Sequence, residues 1–174
     1  MDFRIEPGLP PYGPPAVSFP RADAFREGLV VSFRTTSGER WTGNFARGFG
    51  KLNSVSDELG PKAAVVVSNG AAYLVDVDAK CATEITEPVE YIEYVPSQRM
   101  IVVGNGLWFS ALGASANVVW RTRRISWDGM RCIRRTGEAI FGEAFTPMGP
   151  PDWLPFEVDL QSGHVEGGSF NGPT

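Results

Sequence analysis

Short apolar runs broken by Gly, Asn, Asp and Pro set the rhythm of this chain. Val65-Val66-Val67, Val102-Val103 and Ala139-Ile140-Phe141 are too brief for helices and end at turn formers. β-branched and aromatic runs of that length, separated by turn residues, are the pattern of strands. Leu29 to Arg34 and Arg40 to Ala46 flank Thr36-Ser37-Gly38 and predict a first hairpin. The strongest local signal is Asn69-Gly70, set between Val65-Val66-Val67-Ser68 and Ala71-Ala72-Tyr73, because both turn residues tolerate positive φ. Counting 36 positions on from Asn69, Val102-Val103-Gly104-Asn105-Gly106-Leu107-Trp108-Phe109 repeats the Val-Val-x-Asn-Gly core, with Phe109 in place of Tyr73. A weaker third copy turns at Gly137, between Ile133-Arg134-Arg135 and Ala139-Ile140-Phe141. Such a period suits a unit of three to four strands. The expectation is an all-β fold of antiparallel hairpin repeats, a partial or small propeller-like β fold, with one or two short helices.

Those helices are expected at Arg21 to Glu27, ahead of Gly28, and as a helix or turn at Ser54 to Leu59, ahead of Gly60-Pro61. Before them, Pro7, Pro10, Pro11, Pro14, Pro15 and Pro20 fix φ and remove backbone donors, so residues 1–27 read as a proline-rich N-terminal arm ending in a short helix. Leu9, Tyr12, Val17 and Phe19 favour laying that arm on the domain's own surface over offering it as a polyproline ligand. Residues 28–170 are then expected to form a single β domain.

The terminal stretch Phe156-Glu157-Val158-Asp159-Leu160-Gln161-Ser162-Gly163 alternates and then turns. Its Val158-Asp159-Leu160-x-Ser162-Gly163 resembles the Val-Asp-x-x-Thr/Ser-Gly turn between outer strands of quinoprotein-type and other β-propeller blades. Val75-Asp76-Val77-Asp78 holds a comparable place in the earlier repeat. Together with Trp41-x-Gly43-Asn44-Phe45, Asn69-Gly70-x-x-Tyr73 and Ser126-Trp127-Asp128-Gly129, it is similar to a family of bacterial proteins with no established activity. The resemblance covers roughly Trp41 to Phe170 and implies blade-like hairpins without implying a reaction.

Composition narrows the function classes. The 174 residues are 43% hydrophobic and 21% charged with a net charge of −4, which is globular and mildly acidic. An acidic surface makes nucleic acid a poor partner. No apolar run approaches the roughly 20 residues of a membrane helix, and Met1 to Glu6 followed by prolines does not read as a secretion signal. A cytoplasmic location with no membrane partner is the expectation. Cys81 and Cys132 are expected as buried, reduced thiols, and with His164 the single histidine, no metal and no cofactor are expected.

The sharpest charge feature is basic. Arg121, Arg123, Arg124, Arg131, Arg134 and Arg135 lie beside Trp120 and Trp127. Arginines among aromatics grip acidic groups and stack on planar ones, although cross-strand partners such as Glu138 or Glu143 offer a structural use. Trp120, Arg121, Arg123, Arg124, Trp127, Asp128 and Arg131 form the candidate binding residues. Glu84, Glu87, Glu90 and Glu93 make an acidic run, a solvated strand edge or the complement of the basic run in a homodimer. Asp76 and Asp78 read as turn caps. His164, near Ser162, Asp159 and Glu166, is the sole catalytic candidate, and the motifs of nucleophile elbows and phosphate loops are missing. The favoured reading is a non-enzymatic interaction protein, with another protein as partner and segment 120–135 as contact surface. A small-molecule or carbohydrate-binding aromatic rim is the alternative, and a hydrolase around His164 ranks below both.

Overall fold

The computed structural model describes residues 2–21, 26–85, 88–113, 117–149 and 152–172. The chain divides into two compact units, residues 1–89 and 90–174, and each is built from two four-stranded sheets.

In the first unit, β1 (Phe3–Glu6), β2 (Val17–Phe19), β3 (Leu29–Arg34) and β4 (Arg40–Phe45) form one sheet, in the order β1-β3-β4-β2. The proline-rich stretch thus supplies two strands. Both are sheet edges and neither contains a proline; the prolines of residues 7–15 lie in the connection between them. The second sheet is a meander of β5 (Ser54–Ser56), β6 (Ala63–Ser68), β7 (Ala71–Asp76) and β8 (Cys81–Ile85). Ser54–Ser56 pairs with β6 as a strand, so the turn expected in that stretch is confined to its end, at Glu58-Leu59. Most of Arg21 to Glu27, the stretch for which a helix is expected from sequence, lies outside the described residues. The core of this unit stacks Phe33 on Trp41 at 4.9 Å and Phe19 on Phe45 at 5.2 Å, with Val31, Val66, Tyr73 and Val75 around them. Each such buried side chain contributes roughly 1.5–3 kcal/mol.

The second unit holds two meanders. One is β9 (Tyr91–Val95), β10 (Met100–Gly104), β11 (Phe109–Leu112) and β12 (Val118–Arg121), and Pro96–Gln98 makes a single 3-10 turn between its first two strands. The other is β13 (Met130–Thr136), β14 (Ala139–Phe145), β15 (Trp153–Asp159) and β16 (Val165–Gly167). Its core joins Val95, Met100, Val102, Phe109, Ile125, Ile140, Phe156 and Leu160.

Turn chemistry fixes the registers. Asn69 (φ 47°) and Gly70 (φ 83°) join Ser68 to Ala71 as a two-residue type I′ hairpin, as expected. The second Asn-Gly behaves differently: Gly104 pairs with Phe109, so the loop has four residues and only Gly106 takes positive φ. Asn105 Oδ1 accepts from the Leu107 and Trp108 N–H groups, both at 3.0 Å, and so stabilises the wider loop. The Phe109 ring then lies over Gly104, where a Cβ would meet Cε1 at 2.7 Å. Gly142 and Phe156 repeat that cross-strand pair in the last sheet.

Candidate functional site

Two tryptophans tie paired sheets together by the same device. The Trp41 indole N–H on β4 donates to Val77 O at 3.0 Å, just past Asp76, and the Trp120 indole N–H on β12 donates to Leu160 O at 3.0 Å, just past Asp159. Each aspartate closes its own turn: Asp76 Oδ1 accepts from Ala79 N–H at 2.9 Å and Asp159 Oδ1 from Ser162 N–H at 2.8 Å. The Val-Asp turns are therefore parts of the scaffold. Asp78 also has a structural partner, accepting from Thr36 Oγ1 at 2.6 Å and Thr36 N at 2.8 Å with Lys62 at 3.3 Å. The Thr36 hydroxyl and amide, with Lys62 behind them, hold the Asp78 carboxyl below the usual carboxylate range, and the Ser162 hydroxyl does the same for Asp159.

That pairing also governs the hydrolase candidate. Ser162 Oγ donates to Asp159 Oδ1 at 2.5 Å and accepts the backbone N–H of His164 at 3.2 Å, while the His164 ring is exposed. A nucleophile needs its proton shared with a base, and among the described residues no serine hydroxyl is hydrogen-bonded to the imidazole.

Segment 120–135 combines buried and half-buried parts. Trp120 is buried against the Leu160–Gly163 turn. Arg121 Nε donates to Ser110 Oγ at 3.1 Å and its guanidinium lies 6.0 Å from the Trp108 ring. Arg123 reaches carbonyl oxygens of Gly167 at 2.6 Å and Phe170 at 3.2 Å. Arg124 donates to Ser126 O at 2.9 Å and Trp127 O at 2.7 Å, and stacks on Phe170 at 4.7 Å. Arg131 pairs with Glu143 at 2.7 Å over the Trp153 ring at 4.2 Å. Glu143, one of the partners raised from sequence, is met; Asp128 is exposed on the turn before Gly129.

The consequence of the Arg123 and Arg124 contacts is to brace the Trp127 loop against the C-terminal stretch. The Trp127 ring stands edge-on to Phe170 at 4.8 Å. Beside it opens a cavity of about 420 Å³ lined by Trp127, Thr146, Met148, Leu154, Ser169, Asn171 and Gly172. Met148 is 74% exposed at that opening, a large apolar side chain without cover. Met148 and Leu154 carried no distinctive sequence signal, and only their convergence on Trp127 marks them.

The acidic and basic runs meet inside one chain. Arg135 Nη1 lies 3.6 Å from Glu93 Oε1 and donates to Tyr94 O at 2.8 Å. Glu87 lies outside the described residues. Cys81 and Cys132, expected to be buried, are both exposed free thiols. The correction has a simple cause, since both sit on edge strands and Cys132 occupies an irregular position in its ladder with φ 53°. The fold has no membrane-length apolar helix among the described residues.

No protein-family model matches the chain, and no curated protein matches it. Among solved structures it is similar to the computationally designed Ika8 protein, with a TM-score of 0.47 and 7% identity over 80% of this chain and 45% of that one. It is similar also to Sqt1 of Saccharomyces cerevisiae, with a TM-score of 0.46 and 9% identity over 83% of this chain and 46% of that one. A third is the Pan2 WD40 domain of Neurospora crassa, with a TM-score of 0.46 and 10% identity over 82% and 49%. The chain thus spans less than half the length of each of these three structures.

Proposed function

We propose that this protein is a non-enzymatic interaction module whose contact surface is the Arg/Trp segment 120–135, centred on the cavity beside Trp127. The observation that carries the reading is the convergence of a half-buried Trp127 and an exposed Met148 on one opening of about 420 Å³. An aromatic anchor in a partly desolvated pocket is the usual seat of binding energy between proteins. The arginines support that reading by what they already hold. Arg123 and Arg124 brace the Trp127 loop through backbone carbonyls, and a surface braced before binding loses less entropy when it docks.

The partner expected here is a protein that inserts an apolar side chain into the cavity. A photo-crosslinking residue at Met148 should yield one dominant adduct from a native extract, and Trp127→Ala should weaken that partner's affinity by about 2 kcal/mol, roughly 30-fold. Met148→Asp should do likewise without unfolding the protein, because that side chain is 74% exposed. Affinity should change by less than about tenfold between 50 and 200 mM salt, whereas a surface reading six to ten phosphates loses roughly 10³–10⁵. Binding unaffected by both substitutions, or salt dependence of the larger kind, would overturn the proposal.

A further inference from the structure

A second cavity lies in the first unit, remote in sequence from segment 120–135 and built differently. β1 is antiparallel to β3, β3 is antiparallel to β4, and β2 is parallel to β4. β1 and β2 therefore run the same way at opposite edges, so the chain joining them must cross one face of the β3–β4 hairpin. Pro10, Tyr12, Pro14 and Pro15 of this crossover line a cavity of about 500 Å³ together with the hairpin. Prolines stiffen this roof and offer rings in place of N–H donors. Tyr12 is 90% exposed and so is held by no core packing of its own.

The hairpin side of the cavity is cationic. Arg34 and Arg40 stand directly opposite each other in the ladder, an arrangement in which like charges repel. Arg4 and Lys80 line the same space. Three of the four cations are answered within the chain: Arg34 by Asp2 at 3.3 Å, Arg4 by Glu6 at 3.7 Å and Lys80 by Glu39 at 2.5 Å. Arg40 has no carboxylate partner among the described residues. Against Asp2, Glu6 and Glu39, the lining thus carries a surplus of one positive charge, and that surplus sits on the residue facing Arg34.

A volume in the small-molecule range, a stiff apolar roof and one uncompensated guanidinium define a ligand chemistry. We propose that this cavity binds a small planar organic monocarboxylate. The Arg40 guanidinium receives the carboxylate as a two-donor fork, and the body of the ligand lies beneath Tyr12 and the crossover prolines. Binding one negative charge there also relieves the repulsion between Arg34 and Arg40.

Benzoate and its neutral isostere benzamide separate this idea from simple apolar filling. In amide NMR titrations of the full chain, sodium benzoate should shift the Tyr12, Arg34 and Arg40 signals saturably, and benzamide should bind at least tenfold more weakly. Arg40→Gln should abolish that preference while leaving urea stability unchanged or raised, since the repulsion across the ladder is gone. Tyr12→Ala, at a position too exposed to affect folding, should weaken benzoate severalfold and keep the preference for charge. Equal binding of benzoate and benzamide, no saturable shifts, or benzoate affinity unchanged in either variant would overturn the proposal.

Discussion

Gly163 is the point at which the turn after β15 is pressed against the neighbouring sheet, and substituting it measures how firmly the Trp120 contact is wedged. Gly163 has φ +71°, and a Cβ there would lie 2.7 Å from Trp120 Cε3 and 2.8 Å from Cδ2. Gly163→Ala therefore combines two costs. A left-handed backbone without glycine costs about 1–2 kcal/mol, and forcing a methyl group into a packed ring costs about 1–3 kcal/mol more. Trp120 has little room to retreat, because the residue is only 9% exposed and its indole N–H is anchored on Leu160 O at 3.0 Å. Gly137→Ala is the control: φ there is +61°, but nothing lies within 4 Å of the added Cβ, so only the backbone cost applies. In urea unfolding, Gly163→Ala should lower stability by about 1–3 kcal/mol more than Gly137→Ala at unchanged m. In a Trp120→Ala background that excess should shrink, because removing the ring vacates the space next to Gly163 and the two changes become non-additive. If Gly163→Ala costs no more than Gly137→Ala, the indole is not wedged against the turn and the reasoning fails.

Trp41→Phe and Trp120→Phe each leave a carbonyl, Val77 O or Leu160 O, without its indole donor; each should lower stability by about 1–3 kcal/mol in the same assay. Asp78 and Asp159 titrate below their unfolded value near 3.9, so their hydrogen bonds contribute stability that is fully present above about pH 4 and lost as pH falls through the lower folded values. Asp78→Asn combined with Asp159→Asn should flatten that acid limb in melting temperatures recorded from pH 6 to pH 2. Burial, aided by Glu84, pushes the Tyr73 phenol up to about 12. Its neutral form therefore contributes stability below about pH 10 that is lost as pH rises towards the folded value. Tyr73→Phe should remove this alkaline limb, and at neutral pH should cost about 0.5–1.5 kcal/mol for the bond to Ala46 O at 3.0 Å.

Local turn chemistry made most of the sheets legible. Asn69-Gly70 and Gly137 carry their backbone geometry in their own residues, and the strands on either side follow. The second Asn-Gly misled as to register: Asn105 Oδ1 takes the Leu107 and Trp108 N–H groups and holds a four-residue loop, with the Phe109 ring lying on Gly104 across the strand pair. A rule written for the Asn-Gly dipeptide alone does not include that side-chain bond. The strands β1 and β2 were hidden for the complementary reason. Proline density argues against a central strand and is silent about edges, and pairing with β3 and β4 is decided by Phe3, Val17 and Phe19 joining the core of this unit.

The candidate sites divide along the same line. Charge can be read from a sequence, but the acceptor that satisfies it often cannot, because every residue carries a carbonyl. Arg123 contacts Gly167 and Phe170, residues 44 and 47 positions away, and nothing in the spacing announces it. Six arginines in a short stretch consequently read as a surface for anions, although Arg123 and Arg124 spend their donors on the backbone that shapes the Trp127 cavity. Arg40 inverts the case. It stood outside the conspicuous cluster, yet its strand register sets it against Arg34 while each neighbouring cation in that cavity has a carboxylate. Density of charge along the chain is thus a poor guide to available charge in this protein, and what decides availability is whether the fold brings an oxygen within reach.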